Sequence, residues 1–486
     1  MKFQKPKKFD YNLVIIGAGS AGLSSAYIAA ALKAKVALVE KYKTGGDCLN
    51  TGCVPSKSIL SVAKILSYQN KAKAFGLDNV SVKFSFNKIM KHVHGIIKKI
   101  EPHDSFERYK KLGVDCFQGE AKILSPYLLE VDNKLLTTKN IIIATGASPR
   151  IPEIKGIEKI KYFTSDTIWS LKKQPKNMVI IGGGPIGCEM AQAFSRLGSN
   201  VSILQHGNRI LNREDKDVSE LVEKTFEEEN VKILKDIEIK EIKENKIVCK
   251  IKKKKQEIEF DALFISIGRK ANKIGDLDIE LNSRGGIKTD KYLRTNYKNI
   301  FACGDVLGGY QFTHTASYQA WYCVVNALFP IKFGINYRVV PWCTFVDPEV
   351  ARVGINEQEA EKMGIKHVVT KYDLNDLDRA ITENCNKGFL KVLTKEKSDK
   401  ILGVTIVGSR AGELIHEFVL AMKCNLGLNK ILSTIHVYPT FSEANKYVAG
   451  QWKKQTTSGF VFNILLFLSG GLRFVKVVKF LNKKSN

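Results

Sequence analysis

Twice in this chain a short apolar run leads straight into a glycine-rich hexad and then into a helix-forming stretch. Leu13-Val14-Ile15-Ile16 enters Gly17-Ala18-Gly19-Ser20-Ala21-Gly22, an alanine-rich helix follows, and Val36-Ala37-Leu38-Val39-Glu40 closes the unit. Met178-Val179-Ile180-Ile181 enters Gly182-Gly183-Gly184-Pro185-Ile186-Gly187, and Val201-Ser202-Ile203-Leu204-Gln205 closes the second. A continuous apolar strand suits a parallel sheet covered on both faces. The glycines permit a tight turn, backbone approach to a pyrophosphate and close helix–strand packing, and the helix N-terminus then faces the phosphates. A lone GxGxxG says little, but one with flanking strand, helix and terminal acid predicts a dinucleotide-binding domain. Two such units predict two dinucleotides. Glu40 suits a ribose diol. Gln205 is neutral and neither favours the diol nor pairs a 2′-phosphate; Arg209 and Arg213 lie close enough in sequence to assist NADP. The sequence leaves NAD versus NADP open.

Between the two units lies Gly45-Gly46-Asp47-Cys48-Leu49-Asn50-Thr51-Gly52-Cys53-Val54-Pro55-Ser56-Lys57. Paired cysteines are either a zinc half-site, two unrelated thiols or a redox pair. Zinc sites usually take a second ligand pair at similar spacing, and no second CxxC or CxxxxC occurs, so no metal is expected. In a regular helix, positions i and i+5 differ by about 140° and about 7.5 Å of rise. A disulfide needs Cα atoms about 5.5 Å apart. Cys48 and Cys53 therefore require a break, which Gly52 permits, and Pro55 suits the first turn of a helix starting near Cys53. Cys53 would then sit at a helix N-terminus, where its thiolate is favoured, with Lys57 adding positive charge.

At 486 residues the chain holds two to four domains. Ten cysteines are too sparse for a disulfide scaffold and fit a reducing compartment. The start, Met-Lys-Phe-Gln-Lys-Pro-Lys-Lys, has no apolar signal core, so the cytoplasm is the default location. Net charge is +27, which reflects either an acidic partner or a lysine-rich composition. No aromatic-plus-basic module is present, so nucleic acid is not an expected partner. The other cysteines (Cys116, Cys188, Cys249, Cys303, Cys323, Cys343, Cys385, Cys424) read as buried small apolar residues, and His314 and His416 as core or interface histidines.

The last segment changes character. The apolar run 460–468 has nine residues, far short of the roughly 20 that span a bilayer. Arg473, Lys476, Lys479 and Lys483 then form one basic helical stripe against an apolar face. Such a helix either lies on an anionic membrane surface, peripherally on the inner face, or packs on the protein with its cations outward.

The cysteine segment and both fingerprints, with Ala144-Thr145-Gly146, Ile300-Phe301-Ala302-Cys303-Gly304-Asp305 and Tyr438-Pro439-Thr440-Phe441-Ser442-Glu443, resemble the class I pyridine nucleotide–disulfide oxidoreductases over residues 10–450. Gly45-Gly46-Asp47-Cys48 and Tyr372-Asp373-Leu374-Asn375-Asp376-Leu377-Asp378-Arg379 are most similar to the mercuric-reductase-like branch; lipoamide dehydrogenases belong to the same family. The resemblance implies an α/β fold with two tandem Rossmann-like dinucleotide-binding domains, for FAD and NAD(P), plus an α+β C-terminal dimerisation domain. FAD would occupy 1–165 and 286–335, NAD(P) 166–285, the homodimer interface 341–450, and the basic tail 451–486. FAD would contact Gly17, Gly19, Gly22, Glu40 and Asp305; Gly46, Gly119, Thr145, Gly146, Gly268 and Gly304 complete the expected cofactor set. Gly182, Gly184, Gly187 and Gln205 would serve the nicotinamide nucleotide. Lys57 would lie near the flavin and be held by Glu189.

The implied chemistry passes hydride from NAD(P)H to FAD and then electrons to the Cys48–Cys53 disulfide, Cys53 staying by the flavin while Cys48 attacks the acceptor. One position departs from the disulfide reductases of this family. Where they place a histidine before Pro-Thr, this chain has Tyr438, with Glu443 in the place of the dyad glutamate. A phenol of pKa about 10 is a poor base beside imidazole near 6.5. His436 shares the Tyr438 face of an extended segment but about 6.8 Å away. Mercuric reductases resemble this chain in carrying tyrosine there, yet their C-terminal cysteine pair is missing, since the last cysteine is Cys424, and so is an N-terminal metal-trapping domain. The expected function is reduction of a disulfide, metal–thiolate or similar soft acceptor. The alternatives are a membrane-associated NAD(P)H:quinone-type dehydrogenase and a redox-responsive binding protein.

Overall fold

The computed structural model describes residues 4–457 apart from 253, 273, 275 and 276. The proposed membrane-facing stripe lies outside the described residues. The described chain divides into two units, Met1–Arg338 with Thr344–Val346, and Val339–Cys343 with Asp347 onward.

In the first unit, Leu13, Val14 and Ile15 are fully buried, as a doubly covered strand requires. Strands Val114–Gln118, Val36–Glu40, Tyr11–Ile16 and the second half of Lys134–Ile143 lie side by side and parallel. Strand Ile300–Ala302 adds in parallel to residues 141–143. A meander of Ala121–Ser125 and Leu128–Val131 extends the same sheet through antiparallel pairing. The first sheet is thus completed only by a strand that follows the second fingerprint, and a second nucleotide-binding module is inserted between. That module orders Lys232–Leu234, Asn200–Leu204, Asn177–Ile181 and Ala262–Ile265 in one parallel sheet. A three-stranded antiparallel sheet (Ile237–Lys243, Lys246–Ile251, Lys254–Glu259) carries the lysine-rich turn at Lys252.

Helices follow both glycine hexads, Ser20–Ala31 and Pro185–Arg196. The third glycine of each is fixed by close packing: a Cβ on Gly22 would lie 1.7 Å from the Gly17 carbonyl oxygen, and one on Gly187 2.0 Å from that of Gly182.

The second unit is a five-stranded antiparallel sheet in the order Pro341–Thr344, Glu349–Gly354, Ile401–Gly408, Phe389–Lys395, His367–Asp373. Helices Ala411–Lys423 and Glu443–Thr456 close its core through Ile415, Phe418, Val448 and Trp452. The last helix therefore runs six residues past Gly450, and Trp452 is part of this core. Among the described residues no helix is long and apolar enough to cross a membrane.

Candidate active site

The break between the two cysteines falls at Gly52. Cys48 belongs to a short helix, Gly46–Asn50, and Cys53 is itself the first residue of the 19-residue helix Cys53–Lys71. Gly52 (φ −113°, ψ −105°) turns the chain between them. No side chain caps the Cys53 end and no acid lies in its first turn, so the helix dipole there acts on the thiol unopposed. The loop is fastened to the first fingerprint: Gly45 N–H donates to the Ala18 carbonyl at 2.8 Å, and a Cβ on Gly46 would stand 2.7 Å from Gly19 Cα.

The two thiols are unequal. They share a hydrogen bond, which together with the Thr313 hydroxyl and the Lys57 charge outweighs burial and brings Cys53 down to about 6. The same hydrogen bond, with burial and the Asp104 charge, pushes Cys48 far up. Cys53 Sγ lies 3.4 Å from Thr313 Oγ1, and Thr313 opens the helix Thr313–Leu328. Lys57 Nζ is 2.9 Å from Glu189 Oε2 and sits 4.4 Å from the Phe345 ring centre; Phe345 N–H donates to the other Glu189 oxygen at 2.9 Å. Lys57 and Glu189 therefore meet as the sequence reading expected.

The expected cofactor residues gather at the C-terminal ends of the two parallel sheets, where open α/β sheets bind ligands. Gly17, Glu40, Gly119, Thr145, Gly146, Gly304 and Asp305 follow or end strands of the first sheet; Gly182, Gln205 and Gly268 do so in the second. Glu40 accepts the Ala18 N–H at 2.7 Å through one oxygen and the Tyr42 N–H at 2.8 Å through the other. Gln205 Oε1 accepts the Gly183 N–H at 2.9 Å in the corresponding place. Both residues thus shape their glycine turns, a bond the sequence reading did not foresee. The helices after Gly19 and Gly184 have no side-chain cap and no acid in their first turns. Those free N–H groups fit pyrophosphates, so the site suits the two dinucleotides.

Arg269 was missed. Its guanidinium donates to Asp47 and to the Ala147 carbonyl, reaches Ser165 Oγ at 3.3 Å, and places Nε 3.8 Å from Asp305 Oδ2. Burial raises Asp305 to about 6, with Arg269 opposing. Arg269 Nε is buried and has no hydrogen-bond partner among the described residues. Its place after a strand end of the second sheet was a usable signal. Thr313 gave none, being 260 residues from Cys53.

In the second unit, Tyr438 is exposed and its hydroxyl donates to Asp378 Oδ2 at 3.0 Å. That bond raises the phenol, so it holds its proton. Glu443 is buried, accepting from Thr440 N–H at 3.2 Å and Tyr447 hydroxyl at 3.1 Å. Tyr438 thus has Asp378 as its partner. His436 is tied to Glu417 at 3.1 Å and faces the Thr434 carbonyl at 3.0 Å. One smaller expectation needs correction. Cys424 is exposed, because it ends the Ala411–Lys423 helix at the surface. Cys303 and Cys323 are buried, as expected, and touch each other in the core. His314 and His416 are exposed, which removes the core half of their reading and leaves the interface half.

A cavity of about 510 Å³ opens beside Cys48, lined also by Ser24, Tyr27, Asp104, Arg108 and Tyr109. Cys53 does not line it.

Residues 11–320 match the family model of the pyridine nucleotide-disulphide oxidoreductases, and residues 340–449 match that family's dimerisation domain. The chain is 32% identical over 446 residues to a mercuric reductase of Bacillus cereus, covering 90% of this chain and 71% of that protein. It is 34% identical over 442 residues to a dihydrolipoyl dehydrogenase of Mycoplasma pneumoniae, covering 89% and 96%. It superposes with a TM-score of 0.81 and 27% identity on the HOCl-induced flavoprotein disulfide reductase RclA from Escherichia coli, covering 90% and 99%.

Proposed function

The chain belongs to the pyridine nucleotide-disulphide oxidoreductase family and is an FAD-dependent, NAD(P)H-using enzyme, and we propose that Cys48 delivers its electrons to a disulfide, a metal–thiolate or a related soft acceptor. The observation that carries this reading is the inequality of the two thiols, with Cys48 lining the cavity. When bound, FAD supplies the two-electron relay from NAD(P)H to the Cys48–Cys53 disulfide. Gly17, Gly19, Gly22, Glu40 and Asp305 hold FAD in this reading, and Gly182, Gly184, Gly187 and Gln205 hold the nicotinamide nucleotide.

Each thiol then has one task. Cys53 keeps its charge at the head of its helix, steadied by Thr313 and by the Lys57 ammonium, which Glu189 fixes. Cys48 exchanges with the acceptor. Tyr438, protonated through its bond to Asp378, is a donor or orienting phenol and not a general base. The dimerisation domain supports a homodimer; the exposed run of Ile435, Val437 and Tyr438 supplies an apolar surface suited to it. The basic tail is the segment proposed to meet an anionic membrane. Truncation after Thr457 tests that, since unchanged sedimentation with anionic vesicles sinks it.

The decisive experiment is anaerobic titration of the FAD-loaded protein with NADH and with NADPH, followed by visible absorbance. A long-wavelength thiolate-to-flavin band forms after two electrons and is lost in Cys53→Ser; in Cys48→Ser, which has no disulfide to reduce, the band is present before any reductant and two electrons bleach it with the flavin. Persistence of the band in Cys53→Ser overturns the assignment.

A further inference from the structure

The cavity beside Cys48 contains one carboxylate, and none of these roles uses it. Asp104 ends the turn Glu101–Asp104, and Ser105 then caps the helix Phe106–Lys111. The Asp104 carboxylate faces the same space as Cys48, and its charge acts on that thiol. It accepts no hydrogen bond among the described residues. Arg108 and His103 favour its charged form, but burial outweighs them and raises it. No histidine lines the cavity. A thiol that is hard to ionise therefore shares a cavity with a half-buried carboxylate that accepts no hydrogen bond among the described residues.

Resting on the reading of Cys48 as the exchanging thiol, we propose that Asp104 carries the proton of the exchange step, taking it from Cys48 and returning it to the departing thiol. The Cys48 S–H bond breaks to the Asp104 carboxylate as Cys48 Sγ attacks one sulfur of an acceptor disulfide. The acceptor S–S bond breaks, and the outgoing sulfur collects the proton from Asp104. The Cys53 thiolate next attacks Cys48 Sγ, restoring the Cys48–Cys53 disulfide and expelling the second half of the acceptor, which takes its proton from water. Two enzyme sulfurs are oxidised and two acceptor sulfurs reduced. The acceptor class follows from this chemistry: alkyl disulfides, whose thiols have pKa values of about 8.5 and leave poorly unprotonated, need the donor most. General acid–base help of this kind contributes about 100-fold or more.

The test uses FAD-loaded full-length protein, reduced by two electrons and mixed anaerobically with cystamine or with 5,5′-dithiobis(2-nitrobenzoate). Loss of the long-wavelength band reports completion of the exchange, because the Cys53 thiolate is consumed only in the second step. The nitroaryl thiolate leaves without a proton, so only cystamine depends on the donor. Asp104→Asn is expected to slow exchange with cystamine about 100-fold more than exchange with the nitroaryl disulfide, because the nitroaryl probe loses only the base at Cys48 whereas cystamine also loses the acid at its departing thiol. Asp104→Glu restores most of the cystamine rate. An unaltered cystamine rate in Asp104→Asn, or equal slowing of both probes, overturns the proposal. Absence of the band in the unsubstituted protein defeats the underlying thiolate reading instead, so the two failures are distinct.

Discussion

Lys57 Nζ and Glu189 Oε2 stand 2.9 Å apart although 132 residues separate them in the chain. The pair ties the helix that starts at Cys53 to the helix that follows the second glycine hexad. Glu189 is nearly buried while Lys57 is over a third exposed, so the burial cost falls mostly on the carboxylate. Its other oxygen holds the Phe345 N–H. Glu189→Gln keeps that second bond, whereas Glu189→Ala leaves both partners without an acceptor. The alanine variant is expected to lose about 1–3 kcal/mol more stability than the glutamine variant. Urea unfolding of the two side by side checks this, and equal midpoints at equal slope would refute it.

Thiolate absorbance near 240 nm in the reduced protein is expected to titrate at pH about 6, the position set for Cys53 by its hydrogen bonds and Lys57. Thr313→Val removes a donor that favours the charged form, and Lys57→Met removes a cation, so each moves the midpoint up. For Lys57→Met the move is about one unit. Thr313→Ser keeps the hydroxyl and the midpoint. A midpoint indifferent to all three variants would show that neither group touches the thiolate.

The same depression links stability to pH. A folded value of about 6 against an unfolded value of 9.0 means that the unfolded chain binds the extra proton between those limits. The Cys53 contribution is therefore complete above pH 9 and gone below about 6. Melting temperatures of the reduced protein, measured relative to reduced Cys53→Ser, are expected to rise across this window. A flat difference would remove the thiolate from the folded protein's stability.

Gly187→Ala places a methyl against the Gly182 carbonyl, at 2.0 Å before any adjustment, within the second fingerprint. NADH and NADPH affinity is expected to fall at least about tenfold, with FAD content retained. Reduction by dithionite bypasses the nicotinamide and still yields the long-wavelength band. Loss of FAD on purification would show that the two fingerprints do not serve separate cofactors.

Gln205→Glu conserves the oxygen that accepts the Gly183 N–H and adds the charge that Glu40 carries in the first unit. The ratio of NADH to NADPH efficiency is expected to rise about tenfold, since a carboxylate favours a ribose diol and repels a 2′-phosphate. An unchanged ratio would separate Gln205 from the nucleotide's ribose.

Much of this was legible because it is local. Apolar runs of four or five residues beside glycine hexads dictate buried parallel strands and tight turns wherever they occur, and both units formed as read. The Cys48–Cys53 spacing demanded a break, and the helix does start at Cys53. Residues whose meaning depends on distant partners were not legible. Thr313 approaches Cys53 only because strand Ile300–Ala302 returns to the first sheet and delivers the following helix to it. Arg269 reaches Asp47, in the helix Gly46–Asn50, across 222 residues of chain. Tyr438 stood out as an exception in the sequence, but its partner Asp378 did not, being 60 residues away.

The sequence by itself determined the two nucleotide folds, the redox pair and the family, because short-range periodicity, glycine placement and cysteine spacing each leave few conformations open. The sequence also pointed to Cys53 as the thiolate, through its helix N-terminus and Lys57; tertiary structure decided which cysteine lines a cavity and which remote groups act on each sulfur. Hydrogen bonds, burial and charge act over a few ångströms of space, and the groups that exert them on these two sulfurs, Thr313, Glu189 and Asp104, come from three remote stretches of chain.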